Sequence, residues 1–434
     1  MNHLFDGLMG RGLVTLNTLH ASSVESPRTD ERLRKGWAVR KPPVPSSVKP
    51  TRSGDQLEEM AYLHGQAYDS YLSTEGNLER FWSKNRRAVI AYAKRGKYVH
   101  VQGGLLGPVE ERQNLLKEFH EFLQQNQYMA TFYNIGESDL HLFENQGFQV
   151  TKWGEEPLLD VPNTTWSGHE FEWVRRQANF CRRHKAVVRE CSQSDFSPLD
   201  WSSLMAEIGE IADECLSTKP QRGEVQFFNG SVEPPSWDRR RLFVARSENG
   251  LGRIEGFLIC LPYDGGRQWA IETYRHRLDA PRGIVPYLIR EAVDCLKAEG
   301  VRSVSLCLCP AVRYERLEND SWIIRRCLQF GFNYASACFD MPGEYHFKSR
   351  FRPRFIRRFI CHYPQATVGS MWSTVSLSAA LDLDWKKLAS NIWGRFMRPK
   401  TRRNLAMPKE RVRTGNPESI EPVICQLDEQ AAAA

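Results

Sequence analysis

No apolar run in this sequence approaches the roughly 20 residues that a helix needs to cross a bilayer, so no membrane-spanning helix is expected. The first 22 residues lack a basic stretch leading into a long apolar core, which argues against a secretory leader. Cysteines number 11, but no two stand in a Cys-x-x-Cys pair. Most lie in apolar, strand-like runs, as Cys307 and Cys309 do, the pattern of buried thiols in a reducing, cytoplasmic setting. No metal site and no cofactor is called for. A large excess of one charge is also missing. The net charge of +7 permits an anionic partner, nucleic acid or an acidic membrane, without demanding one. Glycine is scarce where an acyl-CoA enzyme would need it. Ahead of the helix expected at 284 there is only Gly283, set between Pro281 and Pro286. A phosphate cradle is built from exposed backbone N–H groups at a helix start, and prolines remove donors. Use of acyl-CoA is therefore not expected.

What is present suffices for two domains. Residues 1–56 read as a flexible basic arm, because Pro42, Pro43, Pro45 and Pro50 interrupt any helix there. Residues 57–160 read as a first α/β domain, 161–365 as a second, and 366–434 as an amphipathic basic helix with a disordered tail. In the first, strands are expected at 88–93, 98–103 and 129–133. Leu115, Leu116, Phe119 and Phe122 mark a helix over 110–125, a short helix follows at 140–145, and a strand leads into Trp153. In the second, helices at 169–183 and 201–216 precede strands at 242–247, 253–261 and 268–274. A helix at 284–299, a strand at 303–309, a helix at 321–330 and a strand at 334–340 complete it. This is the order of the GNAT acyltransferase fold, and the first unit looks like a shorter version. Two tandem GNAT-like domains are expected. Further on, 384–397 places Trp385, Leu388, Ile392, Trp393 and Phe396 near one helical face, with Lys386, Lys387, Arg395 and Arg398 beside it. That pattern suits an anionic membrane surface, and equally suits packing on the second domain.

Three segments could carry chemistry. Period two puts Glu272 and Arg275 on opposite faces of the strand at 268–274, unless a bulge or turn after Tyr274 brings them to one cleft. A solvated charged strand end is the plain alternative. Residues 345–359 alternate basic and aromatic side chains, among them Lys348, Arg350 and Arg352. Such a run suits phosphate binding and base stacking, or an edge strand guarded by charge. On the helix at 169–183, Arg175, Asn179 and Arg182 share a face by their spacing, for an anion or simply for solvent.

The order of these pieces resembles the C-terminal domain of the phosphatidylglycerol lysyltransferase family, from about residue 62 to 365. Gly154-Glu155-Glu156 before an apolar strand is similar to that family's Gly-Glu-Glu-Ala. Ser167-Gly168 followed by Arg175 and Asn179 resembles its Gly and Arg-x-x-x-Asn helix. Glu224, Phe227 and Gly230 fall on its Glu-x-x-Phe-x-x-Gly, and Glu272 to Arg275 on its Asp-Leu-Met-Arg. Phe347 to Pro353 fall on its Phe-Lys-x-Lys-Phe-x-Pro. The sequence departs at Glu272 for Asp, at Arg350 for Lys, and at Gly104-Leu105 where many members carry Asp-Pro. The resemblance implies a tandem GNAT fold that moves an amino acid from aminoacyl-tRNA to a lipid hydroxyl at a membrane surface. It implies Glu272, Arg275 and Lys348 as catalytic candidates. Arg175, Asn179, Arg182, Glu224, Arg350 and Arg352 become substrate-binding candidates. The multi-helix membrane region that often precedes the domain in that family has no counterpart here, so no lipid-flipping role is expected. The protein would then be cytoplasmic, or peripheral at the inner membrane face. A transferase with a non-lipid acceptor remains open, as does a non-catalytic RNA- or membrane-binding protein on a degenerate GNAT scaffold.

Overall fold

The structure, a computed structural model, describes residues 55–75, 78–219, 227–247, 252–313, 316–334, 340–377 and 384. Glu224, nearly all of the expected arm, most of the strand expected at 334–340 and all but Asp384 of the 384–397 segment lie outside the described residues.

Helix α1 (Gln56–His64) opens on Asp55, whose carboxylate accepts from the Leu57 N–H at 3.0 Å. Strands β1 (Glu79–Trp82), β2 (Val89–Arg95) and β3 (Tyr98–Leu106) pair antiparallel. Helix α2 (Val109–Gln125) crosses over to β4 (Met129–Gly136), which runs parallel to β3. Helix α3 (Leu140–Asn145) and β5 (Gln149–Asp160) close this half.

The second half repeats the scheme. Helix α4 (Glu172–Arg183), β6 (Ala186–Cys191) and α5 (Pro198–Ser217) lead into β7 (Arg241–Ser247), β8 (Ile254–Tyr263) and β9 (Gln268–His276), again antiparallel. Helix α6 (Ile284–Ala298) crosses to β10 (Ser303–Ser305), parallel to β9. Then come β11 (Cys309–Pro310), α7 (Trp322–Tyr334), α8 (Met341–Ser349), β12 (Arg354–Tyr363) and α9 (Val368–Leu377). An antiparallel set, a crossover helix and a parallel strand recur in both halves, the GNAT-like order.

All the described strands join one sheet, ordered β1-β2-β3-β4-β12-β5-β10-β9-β8-β7-β6, with β11 also beside β5. Two positions differ from the sequence reading. The strand expected over 303–309 breaks in two, because Cys307 takes a left-handed φ of 61°. The basic, aromatic run over 345–359 is no edge strand. Its first part is helix α8, and its second part, β12, lies in mid-sheet between β4 and β5. A buried clasp makes the central place tolerable for its charge. Arg358 Nε donates to Glu156 Oε2 at 2.5 Å and its Nη2 to the Gln66 carbonyl at 3.2 Å, while Asn134 donates to Asp69 at 2.7 Å alongside.

Helices cover both faces. Leu115, Leu116 and Phe119 of α2 and Phe143 of α3 cover one face of the first half, and α7 and α9 the other. Helices α4 and α6 cover the second half against Ile271 and Val304. The sheet coils around α1: Leu57 and Ala61 share one core with Val89, Ala91 and Leu106 of the first half and Leu242, Val244 and Phe257 of the second. This closes the two ends of a long twisted sheet on one helix.

Candidate active site

The strand β9 carries a bulge at Glu272. Ile271 pairs with Cys260 and Thr273 with Ile259, which leaves Glu272 as the extra residue. The bulge resets the alternation. Ile271 and Tyr274 both turn into the core against α6, so Glu272 and Arg275 take the other side of the strand. The bulge lies at Glu272 itself, two residues before the place the sequence suggested. The Glu272 carboxylate is then fixed from two sides. It accepts from the Gly230 N–H at 2.8 Å and from the Thr273 hydroxyl. A Cβ on Gly230 would meet Glu272 Oε2 at 2.8 Å, so glycine permits this approach. Arg275 donates from Nη1 to the Tyr274 carbonyl at 3.0 Å.

Lys348, near the end of α8, is buried with its Nζ between the carbonyls of Cys307, at 3.3 Å, and Leu308, at 3.1 Å, and Glu344 at 2.5 Å. Burial opposes its charge, but Glu344 and the nearby thiols and phenol outweigh it and hold the ammonium well above its usual range. All three ammonium protons have acceptors, and two of these belong to the kink between β10 and β11. Lys348 thus fixes the strained Cys307 turn. Cys307, whose carbonyl accepts from Lys348, has a buried thiol. Burial pushes its thiol well up; the Lys348 charge works against that, and Glu272 and Glu156 add to it. The Tyr274 phenol, pushed up to about 12 by burial, feels Lys348 and Arg275 in turn. Tyr274 thus feels the charges of Lys348 and Arg275, and Cys307 those of Lys348 and Glu272.

The binding candidates separate. Arg175 donates from Nη1 to the Trp166 carbonyl at 2.8 Å and the Gly168 carbonyl at 2.6 Å, which pins the turn before α4. Arg182 bridges to Glu291 of α6 at 2.7 Å and lies over the Tyr287 ring. Asn179 is exposed on the same helix. Arg350 lies over the Trp173 ring at 4.3 Å. Partial burial and the neighbouring Arg352 charge lower its pKa, and Arg352 is exposed. Neither has a carboxylate partner among the described residues. An anion set between these two guanidinium groups would relieve their repulsion. Gly230 and Thr273 are the contacts that sequence reasoning did not place beside Glu272. The Glu224 to Gly230 spacing was the available signal for the first.

Among the described residues, two other chemistries meet occupied ground. A CoA phosphate would need the start of α6, but Gly283 there, at φ 93°, is covered by α4. A Cβ on it would lie 2.5 Å from Gln177 Oε1. Among the described residues Glu190, Cys295 and Glu299 form the one metal-like trio. The Arg241 guanidinium fills it, bonding both carboxylates at 2.6–2.7 Å.

A sequence profile described as phosphatidylglycerol lysyltransferase, C-terminal, matches residues 59–362. The phosphatidylglycerol lysyltransferase of Bacillus subtilis (strain 168) is 24% identical over 320 residues, 74% of this chain and 36% of that protein. The enzyme of the same name from Staphylococcus aureus (strain MRSA252) is 20% identical over 331 residues, 76% of this chain and 38% of its own. The chain thus spans a little over a third of the length of these curated relatives. Among solved structures, L-PGS from Bacillus licheniformis superimposes with a TM-score of 0.60 at 20% identity, covering 78% of this chain and 99% of that one. A C-terminal domain (DUF2156) from Agrobacterium fabrum gives a TM-score of 0.58 at 19% identity, covering 75% and 93%. At such identities the likeness speaks for the fold. The profile match runs from α1 to β12 and takes in both half-sheets and the Glu272 bulge, so the chain belongs to the phosphatidylglycerol lysyltransferase C-terminal family.

Proposed function

We propose that this protein transfers an aminoacyl group from aminoacyl-tRNA to a hydroxyl of a membrane lipid such as phosphatidylglycerol. The observation that carries the reading is the Glu272 carboxylate, set in a strand bulge and held by the Gly230 N–H, on the same side of β9 as Arg275. In the reaction, the lipid hydroxyl oxygen attacks the ester carbonyl and its proton passes to the Glu272 carboxylate. The carbonyl oxygen gains negative charge, which the Arg275 guanidinium stabilises. Collapse forms the new ester and breaks the bond to the tRNA ribose oxygen, which leaves with a proton. Lys348 holds the Cys307 turn that walls the site. Arg350 and Arg352, with the exposed α4 residues, take the phosphates of the tRNA acceptor end. The work takes place at the cytoplasmic membrane face.

Lipids extracted after expression with labelled amino acids should contain a new aminoacylated species, absent from cells expressing Glu272→Gln. Purified protein should bind aminoacyl-tRNA with an affinity that falls steeply with salt, because counterions are released from the phosphates. An unlabelled lipid fraction together with a flat salt dependence would refute the reading.

A further inference from the structure

Helices α7 and α9 both pack over the first half-sheet. Ile324 and Leu328 of α7 and Met371 of α9 enter one apolar cluster with Ile360 of β12. Ser373 and Thr374 fasten α9 to His100 and Tyr133, at 2.8 Å each. The inner faces are therefore packed. The outer faces are apolar as well. Trp322 on α7 is 65% exposed, and Val368 and Trp372 on α9 are 74% and 65% exposed. A scattered surface leucine is ordinary, but two exposed tryptophans on helices that share one apolar cluster mark a contact surface. Neither helix contains an acidic residue, and exposed Arg326 follows Trp322 by one turn. Beyond α9 the sequence passes Asp382 and Asp384 and then turns basic, since from Lys386 to Arg413 the only acidic residue is Glu410.

We propose that the outer face of α7 and α9 docks on the surface of an anionic bilayer. Tryptophan prefers the membrane interface, where its ring meets acyl chains and its N–H meets headgroups. Two helices without a carboxylate of their own, one with an arginine beside its tryptophan, match a negative surface. The inference rests on the lipid-transfer reading above, because an acceptor lipid has to be met where it lies. It adds which side of the molecule meets it. Helix α7 leads to α8, whose Met341 packs on Gly331, and α8 carries Lys348. The docked face is thus one helix away from the candidate site.

Flotation of the full chain with vesicles tests this. Wild type should float with equimolar phosphatidylcholine and phosphatidylglycerol, and not with phosphatidylcholine alone. The double variant Trp322→Ser, Trp372→Ser should lose about tenfold in bound fraction with an unchanged melting curve. Arg326→Glu, which keeps both rings, should weaken binding to the anionic vesicles. Transfer to vesicle lipid should fall with binding, while transfer to water-soluble, short-chain phosphatidylglycerol stays at the wild-type rate. Unchanged flotation of the double variant would overturn the proposal. So would a wild type that ignores both vesicles, or one that uses this face to self-associate. Failure of the lipid-transfer reading would look different: the face would still bind vesicles, and the wild type would aminoacylate no lipid.

Discussion

At the scale of single residues, the candidate site depends on which protons have acceptors. The Glu272 carboxylate accepts from the Gly230 N–H and from the Thr273 hydroxyl. Glu272→Gln should lower transfer by about 100-fold or more while the circular dichroism spectrum and melting curve stay those of wild type. Near wild-type turnover would refute the assignment. Lys348 was legible in the sequence as a conspicuous basic residue. Its engagement with two carbonyls was not, because the kink at Cys307 exists only in the folded chain. Two buried histidines give the protein an acid sensitivity. Burial, with the Arg95 charge nearby, pushes His100 down to about 4, and burial beside His100 pushes His362 down to about 3, from the usual 6.5. Both are neutral when folded. Below about pH 6.5 the unfolded chain takes up protons that the folded chain refuses, so their contribution is full above that pH and declines as pH falls. Asp69 runs the other way, since burial raises its carboxyl to about 6 and its contribution fades as pH rises from about 4. Urea midpoints for His362→Phe should show a shallower loss between pH 6.5 and 4.5 than wild type. Parallel curves would show that His362 is not responsible.

At the scale of elements, strain concentrates where β5 meets the broken strand after β10. Gly154 lies against β11, and a Cβ there would come within 2.4 Å of the Cys309 carbonyl oxygen. Backbone cannot move aside as a side chain can. Gly154→Ala should therefore cost about 3 kcal/mol or more in chemical denaturation, and a loss under about 1 kcal/mol would contradict this close approach. Most helices and strands were legible from their periodicity, since α2 and α6 each bury one continuous stripe. Helix α8 was not foreseen, although it carries a local signal. Asp340 caps it by accepting from the Gly343 N–H at 3.3 Å, and Pro342 sits in its first turn. The dense charge of 345–359 hid that signal. The bulge at Glu272 has no sequence mark at all, because it is a matter of register between β8 and β9.

For the whole molecule, the two-unit plan was legible, and the weave between the units was not. Strand β12 comes late in the chain, yet it lies between β4 and β5, and nothing in its own sequence says which strands it will join. Its buried clasp makes a test. Arg358→Met leaves Glu156 charged and alone, which should cost about 3–5 kcal/mol, whereas Arg358→Met with Glu156→Leu should recover much of it. No recovery in calorimetry would mean that the pair does more than neutralise itself. The placement of β12 also bears on how the protein is made. Arg358 reaches Glu156 across 202 residues. A ribosome delivers β4 and β5 long before the strand that must separate them, and each waits with an unpaired edge. A nascent chain halted ahead of Arg354 would expose that gap to proteases and chaperones, and the N-terminal half would settle only once the last strand of the sheet had been released.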